Sequence, residues 1–147
     1  MSPTARDSVF VDSSVLIAAA ISATGRARSL LLDGLRCQMA LFVSDFVLAE
    51  CERNLSKKAP RALPGFSVFR ELLAPSIVNP AKEIVDECMR VVDAKDAPIV
   101  AGARMCQAEW LVSYDRQHLV NQSERIWERF RIRVGTPEDY FNRSRPT

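Results

Sequence analysis

The chain has 147 residues, is 48% hydrophobic, and carries 20 Lys and Arg against 18 Asp and Glu, giving a formal net charge of +2. A chain of this length buries about 68–70% of its unfolded surface, so we expect a single domain over 1–147, with its core at about 9–141. No run approaches the roughly 18 apolar residues of a membrane span, and Asp7 and Asp12 argue against a secretory signal, so we expect a soluble, cytoplasmic protein.

Short apolar runs alternate with longer segments of helical periodicity along the chain. The runs fall at 9–11, 41–43, 77–78, 111–112 and 132–134. Alternation of strand and helix predicts an α/β domain, with a parallel sheet covered by helices on both faces. The most loop-like interior segment is 57–64.

Several helix starts carry capping chemistry. Ser44 precedes the helix that contains Glu50, Asn79 precedes Pro80, Pro98 falls in the first turn after Asp96, and Thr136 precedes Pro137 with Asp139 placed to complete a capping box. The segment 130–134 alternates strictly, which predicts a strand with Phe130, Ile132 and Val134 on one face and Arg131 and Arg133 on the other.

Two acids follow predicted strands. Asp12 ends the first run, and Asp115 comes shortly after the run at 111–112. The carboxyl ends of parallel strands are where ligands bind in such sheets, so both acids are candidates for one crevice. The alternatives are a helix cap for Asp12 and a turn residue for Asp115.

Two further acids lie on predicted helices. Glu50 is four residues beyond Phe46 and three beyond Val47, on or beside a buried stripe that continues through Cys51 and Leu55. A structural salt bridge to an arginine is the alternative for Glu50. Asp96 opens a helix on its core-facing side, where helix capping is the alternative.

Four acids converging from strand ends and helices would repel one another unless cations lay between them. Ligation by oxygen alone points to hard ions, Mg²⁺ or Mn²⁺, which suit phosphate chemistry. With the four acids in a pocket, the remainder carries 20 basic against 18 − 4 = 14 acidic groups, a distribution that suits a polyanionic substrate.

The cysteines offer no competing metal site. The four cysteines are far apart in sequence and form no C-x-x-C pair: Cys37, Cys51, Cys88 and Cys106. The chain has a single histidine, His118, to serve as a further zinc ligand. They are expected to be small buried hydrophobes in a reducing compartment.

The order and spacing of these segments resemble a PIN domain. The matching stretches are VFVDSSVL at 9–16, the Ala49–Glu50 step, KDAPIV at 95–100, LVSYD at 111–115 with His118 and Leu119, and GTPE at 135–138. The resemblance runs from about 9 to 141. It implies a PIN-like three-layer α/β/α sandwich with a central parallel β-sheet.

The resemblance also implies a function. In that family, the acids at the positions of Asp12, Glu50, Asp96 and Asp115 bind Mg²⁺ or Mn²⁺, and the protein cleaves RNA. Many members are homodimeric toxins of toxin–antitoxin pairs, silenced by a cognate antitoxin. This chain departs at Ser14, where the family often has Asn, while Ser113 matches a small hydroxyl residue; both are expected to support the metal site.

We expect Asp12 and Asp96 to bind the principal ion, and Asp115 to hold it directly or through water. Glu50 would help to bind the ion or orient the attacking water, and the number of ions stays open. Asp93 and His118 are further candidates, with a solvated turn residue and a loop histidine at the substrate rim as the favoured interpretations.

RNA contacts are expected from some of the basic residues, and core packing is expected for both tryptophans, Trp110 and Trp127. The basic candidates are Lys57, Lys58, Arg61, Arg104, Arg116, Arg125, Arg129, Arg131, Arg133, Arg143 and Arg145.

Other classes fit less well. Aspartyl-phosphate phosphatases need a second acid at the position of Ser14, and a receiver domain needs paired early acids and a late lysine, which this sequence lacks. The non-enzymatic alternative is a catalytically quiet PIN-type module that binds RNA or protein.

Overall fold

A computed structural model describes residues 7–143 and has a four-stranded sheet at its centre. The strands are β1 (Ser8–Val11), β2 (Ala40–Phe42), β3 (Trp110–Val112) and β4 (Arg133–Gly135). They are all parallel and lie in the order β2-β1-β3-β4. The predicted α/β fold with a central parallel sheet is confirmed.

Helices occupy most of the chain between the strands. They are α1 (Ser13–Ile21), α2 (Arg26–Leu35), α3 (Asp45–Lys58), α4 (Leu63–Leu72), α5 (Lys82–Cys88), α6 (Ala97–Met105), α7 (Ser123–Phe130) and α8 (Pro137–Phe141). With the sheet they form the three-layer α/β/α sandwich that the sequence predicts.

The central strand β1 is buried on both faces. Val9, Phe10 and Val11 are each at most 1% exposed, because β2 and β3 flank the strand and helices cover it. A strand that is buried on both faces needs a continuous apolar run rather than an alternating one. Gly102 of α6 permits close packing here, since a Cβ at that position would lie 2.5 Å from Cζ of Phe10.

Three of the predicted helix starts are confirmed. The Ser44 hydroxyl accepts the Val47 N–H at 3.2 Å and caps α3. Thr136 and Asp139 form the capping box of α8, and Pro98 lies in the first turn of α6. The prediction for Asn79 is wrong, because α5 begins only at Lys82.

The side chain of Asn79 has a different partner. Its Oδ1 accepts the Asp45 N–H at 2.9 Å, and its Nδ2 donates to Asp45 Oδ2 at 2.6 Å. The amide therefore binds the first turn of α3, 34 residues earlier, instead of capping the helix that follows it.

Two predictions, one of a strand and one of a loop, are wrong. Residues 77–78 form no strand, only a single parallel bridge between Ile77 and Val43. The expected loop at 57–64 is almost entirely helical, since α3 runs to Lys58 and a 3₁₀ turn at Pro60–Ala62 leads directly into α4.

The predicted strand at 130–134 is correct only in its second half. The Arg131 N–H donates to Trp127 O at 2.9 Å, so the helix continues through Phe130 and ends with Arg131 in the left-handed region at φ 59°. Pairing with β3 begins at Arg133. Ile132 is nevertheless buried and Arg133 exposed, as the alternation predicts.

Within 7–143, no single helix is long and apolar enough to cross a membrane. Only α1 and α2 taken together, which are bent by 101° at the break between them, reach that length and composition.

Candidate metal centre

Two of the predicted acids lie at the carboxyl edge of the sheet. Asp12 directly follows β1, and Ser113 and Asp115 follow the neighbouring strand β3. The chain leaves β1 for β2 on one side and later returns to β3 on the other, so the point at which strand order reverses lies between β1 and β3. Parallel α/β sheets bind ligands in the crevice at such a point.

Asp12 is buried, with 5% of its surface exposed. It occupies the N-cap position of α1, yet its side chain makes no capping hydrogen bond. Its Oδ2 instead accepts the hydroxyls of Ser14 at 3.0 Å and Ser113 at 2.8 Å. The capping alternative therefore does not describe this carboxylate.

The two serine hydroxyls are held in a fixed direction. Ser14 Oγ accepts the Tyr114 N–H at 2.9 Å, and Ser113 Oγ accepts the Asp115 N–H at 2.9 Å. Because the backbone supplies a donor to each oxygen, each hydroxyl proton is directed toward Asp12. Asp12 Oδ2 thus accepts two hydrogen bonds, which fix the orientation of the carboxylate.

Glu50 lies on α3, partly buried, beside Asp12. Its Oε1 accepts the Ser13 hydroxyl at 2.5 Å, and the same hydroxyl lies 3.4 Å from Asp12 Oδ1. No ion pair to Glu50 occurs among residues 7–143, so the salt-bridge alternative finds no support there. The buried stripe of α3 includes Val47 but not Phe46, which is 41% exposed.

Asp96 is the second buried acid, 6% exposed, at the N-cap position of α6 and without a capping hydrogen bond from its side chain. Burial raises its pKa above the usual aspartate value, against the opposing influences of His118, Gln122 and Lys95. Gln122 Nε2 lies 3.4 Å from Asp96 Oδ2 and also donates to the His118 carbonyl.

Asp115 is partly buried and combines two environments. Its Oδ1 accepts the His118 N–H at 3.1 Å, so one oxygen does serve the turn, as the alternative interpretation holds. Its negative charge also contributes to the raised pKa of Asp96. Asp96 and Asp115 therefore form a second pair of neighbouring acids.

Within the described chain, one set of three acidic, histidine or cysteine side chains has all its ligand atoms within 4.8 Å of one another: Asp93, Asp96 and His118. Asp93 is exposed, as expected of a turn residue, yet it lies beside Asp96. Lys95 Nζ is 2.7 Å from His118 Nε2. Among the described residues, the four predicted acids do not contribute three such mutually close atoms.

The donor set fits a hard divalent cation. Asp12 and Asp96 are nearly inaccessible to water, and no lysine or arginine ion pair in 7–143 includes them, Glu50 or Asp115. A buried carboxylate without an ion-pair partner is costly, and carboxylate oxygens are the ligands that Mg²⁺ and Mn²⁺ prefer.

Three residues at this site were not predicted from the sequence. Ser13 had a local signal, because it follows Asp12 directly and begins α1. Gln122 had none, since it contacts Asp96 across 26 residues. Lys95 was noted only within the stretch KDAPIV, and its contact with His118 spans 23 residues.

The basic candidates are distributed widely. Arg104 pairs with Glu87 at 2.8 Å and Arg143 with Asp7 at 2.6 Å, so both are used within the fold. Arg116 is exposed beside Asp115, and Arg145 lies outside the described residues. The other candidates are exposed: Lys57, Lys58, Arg61, Arg125, Arg129, Arg131 and Arg133.

The two tryptophans differ from each other. Trp110 is partly buried and packs edge-on against Tyr140, with ring centroids 5.6 Å apart. The core prediction for Trp127 is wrong: it is 39% exposed, with the guanidinium groups of Arg131 and Arg133 at 5.2 and 5.5 Å from its ring. Arg133 opens β4, so this surface lies toward the edge of the sheet opposite the acids.

The parallel sheet and the acidic groups at its switch point place this chain in the class of α/β domains with an acidic crevice. Comparison with protein families identifies the class, because the model of the PIN domain matches residues 8–117. The chain belongs to the PIN-domain family, whose fold is of nuclease type and whose members are generally nucleases that use divalent metals.

Among solved structures, the chain is similar to PAE2754 from Pyrobaculum aerophilum. The TM-score is 0.56 at 17% sequence identity, covering 90% of this chain and 85% of that one. At 17% sequence identity, the comparison shows similarity of fold alone. A search of curated proteins gave no match.

Proposed function

We propose that this chain is an endoribonuclease that hydrolyses RNA phosphodiester bonds with Mg²⁺ or Mn²⁺. The observation that carries the proposal is the burial of Asp12 and Asp96, at 5% and 6% exposure, without an ion-pair partner anywhere in 7–143. A divalent cation between them would compensate both charges.

The proposed roles follow the contacts of each acid. Asp12 and Asp96 hold the principal ion, and Asp115 holds it directly or through water. Glu50 completes the ligand set or orients the water that attacks phosphorus. Ser14 and Ser113 hold the Asp12 carboxylate in one orientation through the hydrogen bonds to its Oδ2.

When bound, such an ion supplies the positive charge that lowers the pKa of water and stabilises the leaving oxygen. The protein's own part is to fix the carboxylates before substrate arrives, because groups that need no reorganisation stabilise a transition state best. The hydroxyls of Ser14 and Ser113, held by the backbone N–H groups of Tyr114 and Asp115, do this for Asp12.

The substrate would reach the site over a basic surface. Arg116, beside Asp115, and the exposed Lys57, Lys58 and Arg61 are proposed to contact phosphates. Arg104 and Arg143 are not included, because each is paired with an acid of the chain.

Membership of the PIN-domain family supports a finer proposal as well. The chain would act in the cytoplasm as the toxin of a toxin–antitoxin pair, as a homodimer that a cognate antitoxin silences. Purification with the product of a neighbouring gene and light scattering of the complex would test both partners.

The nuclease proposal is tested by incubating an RNA pool with the protein in Mg²⁺, Mn²⁺ or EDTA. We expect metal-dependent cleavage by the wild type and a loss of at least about 100-fold in Asp12→Asn and Asp96→Asn, since a lost ligand should cost more than the 10–100-fold typical of lost partners of ligands. Asp86→Asn, at an exposed acid of α5, is the control. Cleavage that survives EDTA contradicts the proposal, and binding without cleavage in any metal favours the quiet module.

A further inference from the structure

The Ser13 hydroxyl lies between two of the acids. Its Oγ is 2.5 Å from Glu50 Oε1 and 3.4 Å from Asp12 Oδ1, and the residue is 8% exposed. A hydroxyl has one proton to donate, and the shorter contact identifies Glu50 as its acceptor. Ser13 is thus bonded to Glu50 and adjacent to Asp12.

The two oxygens of Asp12 have different surroundings. Oδ2 accepts the protons of Ser14 and Ser113, whereas Oδ1 has only the long contact to Ser13, whose proton goes to Glu50. Oδ1 is therefore the oxygen with free capacity to bind a cation, and it lies on the side of Glu50.

A second contact joins Ser13 to the same helix. The Cys51 thiol donates to the Ser13 carbonyl at 3.6 Å, and Cys51 follows Glu50 directly on α3. Ser13 therefore contacts two consecutive residues of α3, one through its side chain and one through its backbone.

We propose that Ser13 is a positioning residue that holds the Glu50 carboxylate beside Asp12 Oδ1, so that the two acids are presented together to one divalent cation. This inference rests on the proposed function, because it concerns the same metal centre. It assigns distinct tasks to the three serines: Ser14 and Ser113 orient Asp12, and Ser13 orients Glu50.

Manganese binding to the intact protein without RNA tests the proposal, by isothermal titration or by the Mn²⁺ signal in electron paramagnetic resonance. Ser13→Ala is expected to weaken binding about 10–100-fold, the usual effect of losing a partner of a metal ligand. Ser67→Ala, an exposed serine of α4, is the matched control and should bind as the wild type does.

Two further comparisons separate positioning from general damage to the structure. Ser13→Thr keeps the hydroxyl, and Ser13→Val has the shape of threonine without the hydroxyl. Only Ser13→Thr should therefore retain Mn²⁺ affinity. This pair tests the proposal even if Ser13→Ala does not fold. In Glu50→Gln, the added Ser13→Ala change should have little further effect, because both changes act on one contact.

The possible results are distinct. If the wild type binds Mn²⁺ and Ser13→Ala binds it equally well, or if the Ser13 and Glu50 effects are additive, the role of Ser13 is refuted while the metal centre stands. If the wild type binds no Mn²⁺, both the metal centre and the role of Ser13 are refuted.

Discussion

Ser113 carries two hydrogen bonds of the candidate site on one buried oxygen. It accepts the Asp115 N–H and donates to Asp12 Oδ2, and its side chain is fully buried. We expect Ser113→Ala to lower the free energy of unfolding by about 1–3 kcal/mol, since a buried N–H loses its acceptor and a buried carboxylate loses a donor.

Urea denaturation at neutral pH, without divalent ions, measures this change. Ser113→Thr keeps the hydroxyl and should lose less than Ser113→Ala. An unfolding free energy for Ser113→Ala equal to that of the wild type would mean that the two hydrogen bonds do not stabilise the fold.

The sequence pattern identified the acids that lie at the end of a strand or the start of a helix, because such positions themselves indicate a ligand site. Asp12 and Asp115 follow strands and lie at the edge where β1 and β3 end. Asp96 begins a helix and lies near enough to Asp115 for that charge to raise the pKa of Asp96. The contacts of Ser13 and Gln122 could not be predicted in this way. Their partners lie 37 and 26 residues away, and nothing in the local sequence indicates which distant carboxylate a hydroxyl or amide will meet.

At the scale of elements, α6 packs against β1 through a glycine. A Cβ at Gly102 would lie 2.5 and 2.6 Å from two ring atoms of Phe10, which is itself fully buried in the central strand. We expect Gly102→Ala to destabilise the protein by about 1–3 kcal/mol, the usual range for overpacking a core, as measured by urea denaturation.

Gly65 on α4 provides the control for this prediction. A Cβ there would have nothing within 4 Å, and the residue is helical, so Gly65→Ala should stabilise by about 0.4–1 kcal/mol. Equal effects of the two substitutions would contradict the close packing of α6 on β1.

Elements were predicted well where the signal is local and poorly where a distant partner competes. Ser44 and Thr136 cap the helices that follow them. Asn79 has the same capping chemistry but binds Asp45 of α3 instead. The segment at 130–134 alternates as a strand does, yet the helical hydrogen bond from Arg131 to Trp127 postpones the strand until Arg133.

At the scale of the whole molecule, the order β2-β1-β3-β4 explains why distant residues meet. Placing β3 beside β1 brings Ser113 against Asp12 across 101 residues, and the crossing of α1 and α3 brings Ser13 against Glu50. Alternation of apolar runs and helices predicts the parallel sheet. The periodicity does not give the strand order, which decides which acids become neighbours.

The central claim is that the acids at this switch point hold a divalent cation. The most direct measurement is an anomalous difference map from crystals of the full chain soaked in Mn²⁺. We expect a peak within coordination distance of both the Asp12 and the Asp96 carboxylates. A peak bound only by Asp93, Asp96 and His118, or no peak at this edge of the sheet, would contradict it.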